Sequence, residues 1–144
     1  MYVGATNRLY RLSDDLRVVE QVLETGPRLD NPLCPPPTSQ CQCFGPSCAE
    51  SQKALTDAVS RALLVDPGRR RLLACSSLFQ GHCDWHSLAN ISATQPPVWR
   101  MVVPNDRTSS VVMFIAPGPP NPASTDALYV AATRSTVGLL VLER

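Results

Sequence analysis

The sequence predicts an all-β fold, and three observations carry that prediction. Apolar residues come in runs of strand length closed on both sides by turn residues, as in residues 2–12 followed by Ser13-Asp14-Asp15. The 14 prolines are roughly twice the average usage and only 17% of residues are charged, which disfavours long surface helices laced with ion pairs. Residues 71–88 join an apolar run to a short span bracketed by Cys75 and Cys83, close enough in sequence to pin a sharp bend between two strands. Cysteines used in that way point to an oxidising, extracellular compartment.

A chain of 144 residues, 44% of them hydrophobic, can bury one core of ordinary size. The net charge is +1, and the one basic run, Arg69-Arg70-Arg71, reads as the solvated start of a strand, so there is no electrostatic footprint for nucleic acid. No stretch approaches the about 18 apolar residues of a membrane-spanning helix, and the longest apolar run, residues 111–116, is strand-sized. Met1 leads straight into Y-V-G-A-T without the features of a signal peptide, and the sequence stops inside the apolar run Leu139-Leu140-Val141-Leu142. Both ends are therefore expected to be cut from the middle of elements, and the chain to be a fragment of a longer secreted or membrane-anchored protein.

Residues 2–12 and 16–23 read as a hairpin turning at Ser13-Asp14-Asp15, although L-R-V-V-E-Q-V-L also fits a short helix. Thr25-Gly26-Pro27 breaks the run. Residues 30–51 hold Cys34, Cys41, Cys43, Cys48 and 5 prolines, a composition that forms neither a helix nor a central strand but an irregular loop kept ordered by its cysteines. Ala54, Leu55, Ala58, Val59, Ala62 and Leu63 repeat at helical spacing. A strand from about Ala62, with a helical turn before it, agrees better with the neighbours. Asp66-Pro67-Gly68-Arg69 then makes a hairpin turn, with proline second and glycine third, and residues 71–75 return. Residues 76–88 give a third strand after a bend at Gln80-Gly81. Pro96-Pro97 opens a strand over 98–103, Pro104-Asn105-Asp106 turns the chain, and residues 110–116 form a buried strand. Residues 117–122 make a stiff exposed loop, and residues 128–133 the next strand.

The chemistry-bearing residues point away from catalysis. Cys34, Cys41, Cys43 and Cys48 are spaced seven, two and five apart, unlike the paired knuckles of zinc sites, so disulfides are the preferred reading over zinc. His82, Asp84 and His86 fall in a strand and read as solvent-facing. There is no G-x-S-x-G elbow, glycine-rich phosphate loop or H-E-x-x-H helix, so neither an enzyme nor a cofactor or metal site is expected. Asn90-Ile91-Ser92 is an N-x-S sequon that accepts a glycan if the chain is secreted.

Residues 2–6 (Y-V-G-A-T) and 129–133 (Y-V-A-A-T) differ at a single position, and residues 72–76 (L-L-A-C-S) have the same shape: two bulky residues, two small, then a hydroxyl. Small residues let strands approach closely. Repetition of this kind suits the sheets around a propeller channel better than a sandwich.

Three segments resemble the opening of the sema domain of plexins: Y-V-G-A-T-N-R-L-Y-R-L-S (2–13), T-G-P-R-L-D-N-P-L-C (25–34) and L-L-V-D-P-G-R-R-R-L-L-A-C-S-S-L-F-Q-G-H-C (63–83). F-I-A-P-G-P (114–119) and L-Y-V-A-A-T (128–133) look like the strand pair that follows, and the flavour is nearest the class B members. The resemblance implies a seven-bladed β-propeller of which this chain supplies the first one to two blades, with blade strands over about 62–88 and 98–133. It implies an extracellular ligand-binding module of a semaphorin receptor, acting in axon guidance and cell migration. Such a receptor sits on the plasma membrane, with no direct membrane contact in this stretch. The implied partners are a semaphorin and further receptor chains.

The same resemblance implies a disulfide between Cys75 and Cys83, and another from Cys34 to Cys43 or Cys48, with Cys41 left over in an extra pair. Cys75-Ser76-Ser77 stands where the family has C-G-S, which matters if that backbone position needs a positive φ. Ala58-Val59-Ser60-Arg61 stands where it has N-V-N-Q. The competing readings are an independent small secreted disulfide-rich domain and a non-functional gene-model fragment.

Overall fold

The computed structural model describes residues 1–31, 49–99, 102–118, 126–133 and 138–142. Among them lie the strands β1 (Tyr2–Ala5), β2 (Arg8–Leu12), β3 (Val19–Glu24), β4 (Arg28–Asp30), β5 (Ala54–Thr56), β6 (Ser60–Asp66), β7 (Arg71–Ser76), β8 (Cys83–Ser87), β9 (Thr94–Trp99), β10 (Val111–Pro117), β11 (Asp126–Ala132) and β12 (Gly138–Leu142). They pair in chain order into four antiparallel sheets: β1-β2-β3, β4-β5, β6-β7-β8-β9 and β10-β11-β12. The all-β expectation holds.

The expected single strand over 2–12 is two. Ala5 pairs with Arg8 across Thr6-Asn7, and Asn7 takes a φ of 63°, a left-handed conformation that asparagine tolerates better than most residues. Its side chain holds the turn from outside, accepting the Ala58 N–H on Oδ1 at 2.8 Å and donating from Nδ2 to Asp57 at 2.7 Å. Residues 16–18 stay in the following turn, with Leu16 at φ 61°, so the third strand starts only at Val19. The result is a three-stranded meander with no helix in it.

Helical spacing at 54–63 does not produce a helix. A 3₁₀ turn at Glu50–Gln52 precedes β5, and β6 begins at Ser60, two residues before the expected start. The Asp66-Pro67-Gly68-Arg69 hairpin forms as expected, closing Asp66 against Arg71. Its return strand β7 is the centre of the molecule: Leu72 and Leu73, which point to opposite faces, are both fully buried. Leu73 and Cys75 join Trp85, Val103, Leu128 and Val130 in one core, while Leu72 packs with Leu9 and Ile91 in the other. The four-stranded sheet is thus sandwiched between the β1-β2-β3 meander and the β10-β11-β12 sheet. Fully burying each leucine contributes about 2 to 3 kcal/mol.

Two strands depart from expectation at their margins. Pro96 and Pro97 lie inside β9 rather than ahead of it, which the ladder tolerates because β9 is the outer strand of its sheet. Val102 and Val103, expected in that strand, instead lie beyond it in bends and insert into the core. Strand β10 is not buried as expected: it alternates, leaving Val112 63% and Phe114 51% exposed. The five-residue echo is not a strict repeat either. Residues 72–76 fall on β7 and the residues from 129 on β11, each the second strand of its sheet, whereas residues 2–5 form β1, a first strand. There the small residue serves closeness: a Cβ on Gly4 would collide with the Ser60 side chain of β6.

Candidate functional site

The bend over residues 76–82 is held by a disulfide, by consecutive left-handed residues and by hydrogen bonds to two other segments. Cys75 and Cys83 face each other across β7 and β8 and are joined by a disulfide with an S–S distance of 2.04 Å. Between them a 3₁₀ turn at Leu78–Gln80 runs into three consecutive left-handed residues, Phe79 (φ 50°), Gln80 (φ 63°) and Gly81 (φ 87°). Ser76 is not among the residues with positive φ, so a serine in place of the family's glycine adds no strain there. Gly81 is where glycine is required, because a Cβ would strike the Val103 backbone. Its carbonyl accepts the N–H groups of Val102 and Val103, fastening the bend to the following segment. From the other side, buried Asp30 accepts the Phe79 N–H on Oδ2 at 2.7 Å, and Gln80 Nε2 donates to the Asn31 carbonyl at 3.3 Å. Asp30 was not singled out by sequence, since an aspartate ahead of Asn-Pro reads as turn chemistry.

His82 clamps this bend. Its Nε2 lies 3.0 Å from Asp84 Oδ2, and its Nδ1 lies 3.1 Å from the Leu78 carbonyl and 3.2 Å from Ser76 Oγ. Ser76 Oγ also accepts the Leu78 N–H, so serine, histidine and aspartate are committed to holding the turn. The hydrogen bond and charge of His82 keep the Asp84 carboxyl below its ordinary range although burial alone would raise it. His86, expected to face solvent, is buried at 4% exposure, with Nδ1 2.7 Å from the Ile91 carbonyl. Its pKa is lowered, chiefly by burial. Among the described residues no group of three or more His, Cys, Asp or Glu could hold a metal ion.

Beside the bend, a cleft of about 290 Å³ opens between the meander and the four-stranded sheet, with Arg8, Leu23, Leu63, Phe79 and His82 in its walls. Arg8 and Glu24 at its mouth are 3.9 Å apart and well exposed, so they contribute little to stability. The opposite end of the hairpin holds a feature that sequence reading missed. Arg71, expected in a solvated run with Arg69 and Arg70, is buried; its Nε bonds Asp66 Oδ2 at 3.1 Å while its guanidinium stacks over the Trp85 ring. A legible signal exists in retrospect: an aspartate and an arginine flanking a Pro-Gly turn must face each other once the hairpin closes.

Asn90 lies in an exposed turn, while Cys34, Cys41, Cys43 and Cys48 lie outside the described residues. On the β10-β11 sheet, Phe114 stacks on Tyr129 with ring centroids 5.0 Å apart and planes at 11°. With Val112 they form an apolar surface that is exposed among the described residues.

No family model matches the chain. Human plexin-B3 is 33% identical over 136 residues, covering 91% of this chain. Mouse plexin-B2 is 45% identical over 92 residues, covering 64% of it. A solved structure of the full extracellular region of plexin A4 superposes on 90% of this chain with a TM-score of 0.62 and 31% identity. The chain belongs to the plexin family. It spans only 5% and 6% of the lengths of plexin-B2 and plexin-B3, and 13% of the solved plexin A4 chain. Its antiparallel sheets fit a sema-like propeller fragment of a plexin extracellular region, and at the family level such a region is a receptor module rather than an enzyme.

Proposed function

We propose that this chain forms part of the ligand-binding sema propeller of a plexin-type receptor, on the extracellular side of the plasma membrane, and that a semaphorin is its partner. In this reading the β6-β7-β8-β9 sheet, over about residues 62–88 and its outer strand, is one blade, and the strands within 98–133 begin the next. The observation that carries the reading is the superposition on the plexin A4 extracellular region over 90% of this chain. The uncovered Val112, Phe114 and Leu55 support it too, because further blades would cover faces that an independent small domain leaves open.

The proposed role is recognition, using loops and strand edges presented by a disulfide-braced scaffold, in semaphorin signalling during axon guidance and cell migration. The test is surface-plasmon resonance of a plexin-type extracellular region containing this chain against a panel of semaphorin ectodomains. Saturable binding to at least one is expected. Binding to none, by a receptor that folds and is secreted, would overturn the proposal.

A further inference from the structure

We infer that Asn90 carries an N-linked glycan at the seam between the meander and the four-stranded sheet. The inference rests on the extracellular reading above, and goes beyond it in assigning a covalent modification to one atom. Within Asn90-Ile91-Ser92 the structure separates two jobs. Ile91 is fully buried and packs with Leu9 and Leu72, while Asn90 and Ser92 stand exposed on either side. Asn90 Oδ1 accepts the Ser92 N–H at 3.0 Å, and the Asn90 carbonyl accepts the Ala93 N–H at 3.0 Å. Among the described residues Asn90 Nδ2 makes no hydrogen bond to the protein, so the atom to be modified is exposed and uncommitted.

The turn that presents it is held rigidly from the neighbouring sheet. Tyr2 donates its hydroxyl to the Leu88 carbonyl at 2.8 Å, and Arg11 donates to the carbonyls of Leu88 and Ala89 at 3.1 and 2.9 Å. Gln21 makes two bonds at once, donating to the Ala89 carbonyl at 2.9 Å and accepting the Ile91 N–H at 2.9 Å. These bonds end on the backbone of Leu88, Ala89 and Ile91, and none of them uses Asn90 Nδ2. A branched sugar on Nδ2 therefore replaces none of the hydrogen bonds that hold the turn. Surface turns with this accessibility are where sequons are used.

The chemistry is glycosyl transfer from a lipid-diphosphate-linked oligosaccharide. The amide nitrogen of Asn90 bonds to the anomeric carbon of the first sugar and loses a proton. The sugar–phosphate bond breaks and the lipid diphosphate leaves with its electron pair. Nothing is oxidised or reduced.

The test places the full chain behind an added signal sequence in cultured animal cells and reads total membrane-fraction protein. Transfer takes place on the nascent chain, so the readout needs no stable fold. The expected result is a gel shift removed by an amidase that releases N-glycans, leaving aspartate at position 90 in the peptide map. S92A, which keeps the Asn90 turn but removes the acceptor hydroxyl, loses the whole shift, and S92T keeps it. An unmodified Asn90 in lumenal protein, or a shift that persists in S92A, overturns the assignment. Because the added signal forces lumenal delivery, that failure is separate from a failure of the receptor reading, which the semaphorin panel decides.

Discussion

The guanidinium carbon of Arg71 lies 3.9 Å from the centre of the Trp85 ring, a cation over an indole inside the hairpin that carries the disulfide. The same guanidinium is paired with Asp66, and both side chains are nearly removed from water, at 11% and 7% exposure. A buried pair of this kind is costly to break from one side, because the remaining charge stays buried without an opposite charge to offset its lost hydration. R71A or D66N is therefore expected to destabilise the domain by about 3 to 5 kcal/mol. R71K keeps the charge but loses the planar stack and sits between R71A and the parent. Urea denaturation of the extracellular region, following the emission of Trp85 against a W85F control, reads all three. Wild-type midpoints for R71A would remove the pair from the account.

The disulfide between Cys75 and Cys83 closes a bend whose backbone already carries three left-handed residues in a row. Closing a loop of about nine residues contributes about 2.5 kcal/mol in the loop-entropy treatment. The double variant C75S/C83S is expected to lose roughly that much, and less than the buried ion pair. Non-reducing peptide mapping of secreted protein should return a peptide linking the two. Recovery of both as free thiols would contradict the bond.

Two groups near the bend both make the domain less stable in acid, each in its own pH window. Burial holds the His86 pKa below its ordinary 6.5, outweighing the Ile91 hydrogen bond and the Asp84 charge, which act the other way. The unfolded chain then binds a proton more readily than the folded one. Stability is full above about pH 6.5 and is lost as pH falls from there to the lower folded-state value. Asp84 is also held below its ordinary value, so its contribution is present above about pH 3.9 and fades only under stronger acid. Denaturation midpoints measured between about pH 7.5 and 5 should fall on acidification, and H86Q should flatten that slope. A slope unchanged in H86Q would assign it elsewhere.

Much of the architecture was legible because it depends on local chemistry. Pro-Gly between Asp66 and Arg69 sets a hairpin whatever surrounds it, and Cys75 and Cys83 bracket a bend that only a cross-strand pairing satisfies. Less was legible where a side chain answers to distant partners. Thr6-Asn7 contains no glycine or proline, so the break in residues 2–12 is set by Asn7, whose amide is used by Asp57 and Ala58 about fifty residues away. Three consecutive arginines read as solvated until Trp85 is known to lie over the third. Strand β10 read as buried because V-V-M-F-I-A is apolar throughout, and composition does not reveal that one of its faces is exposed among the described residues. Asp30, which braces the bend, and Gln21, which braces the Asn90 turn, were invisible for the same reason: each serves a backbone group far along the chain, 49 and 70 residues further on.

The central claim is that these sheets are consecutive parts of a larger propeller, and the open apolar faces at Phe114 and Leu55 make it directly testable. The decisive measurement is the thermal melt of the 144-residue chain alone, beside the same residues within a plexin-type extracellular region. The account predicts that the isolated chain aggregates or melts without cooperativity, while the larger region unfolds in a cooperative transition sensitive to R71A. A reversible, cooperative melt of the isolated chain would contradict it and make this a self-sufficient domain.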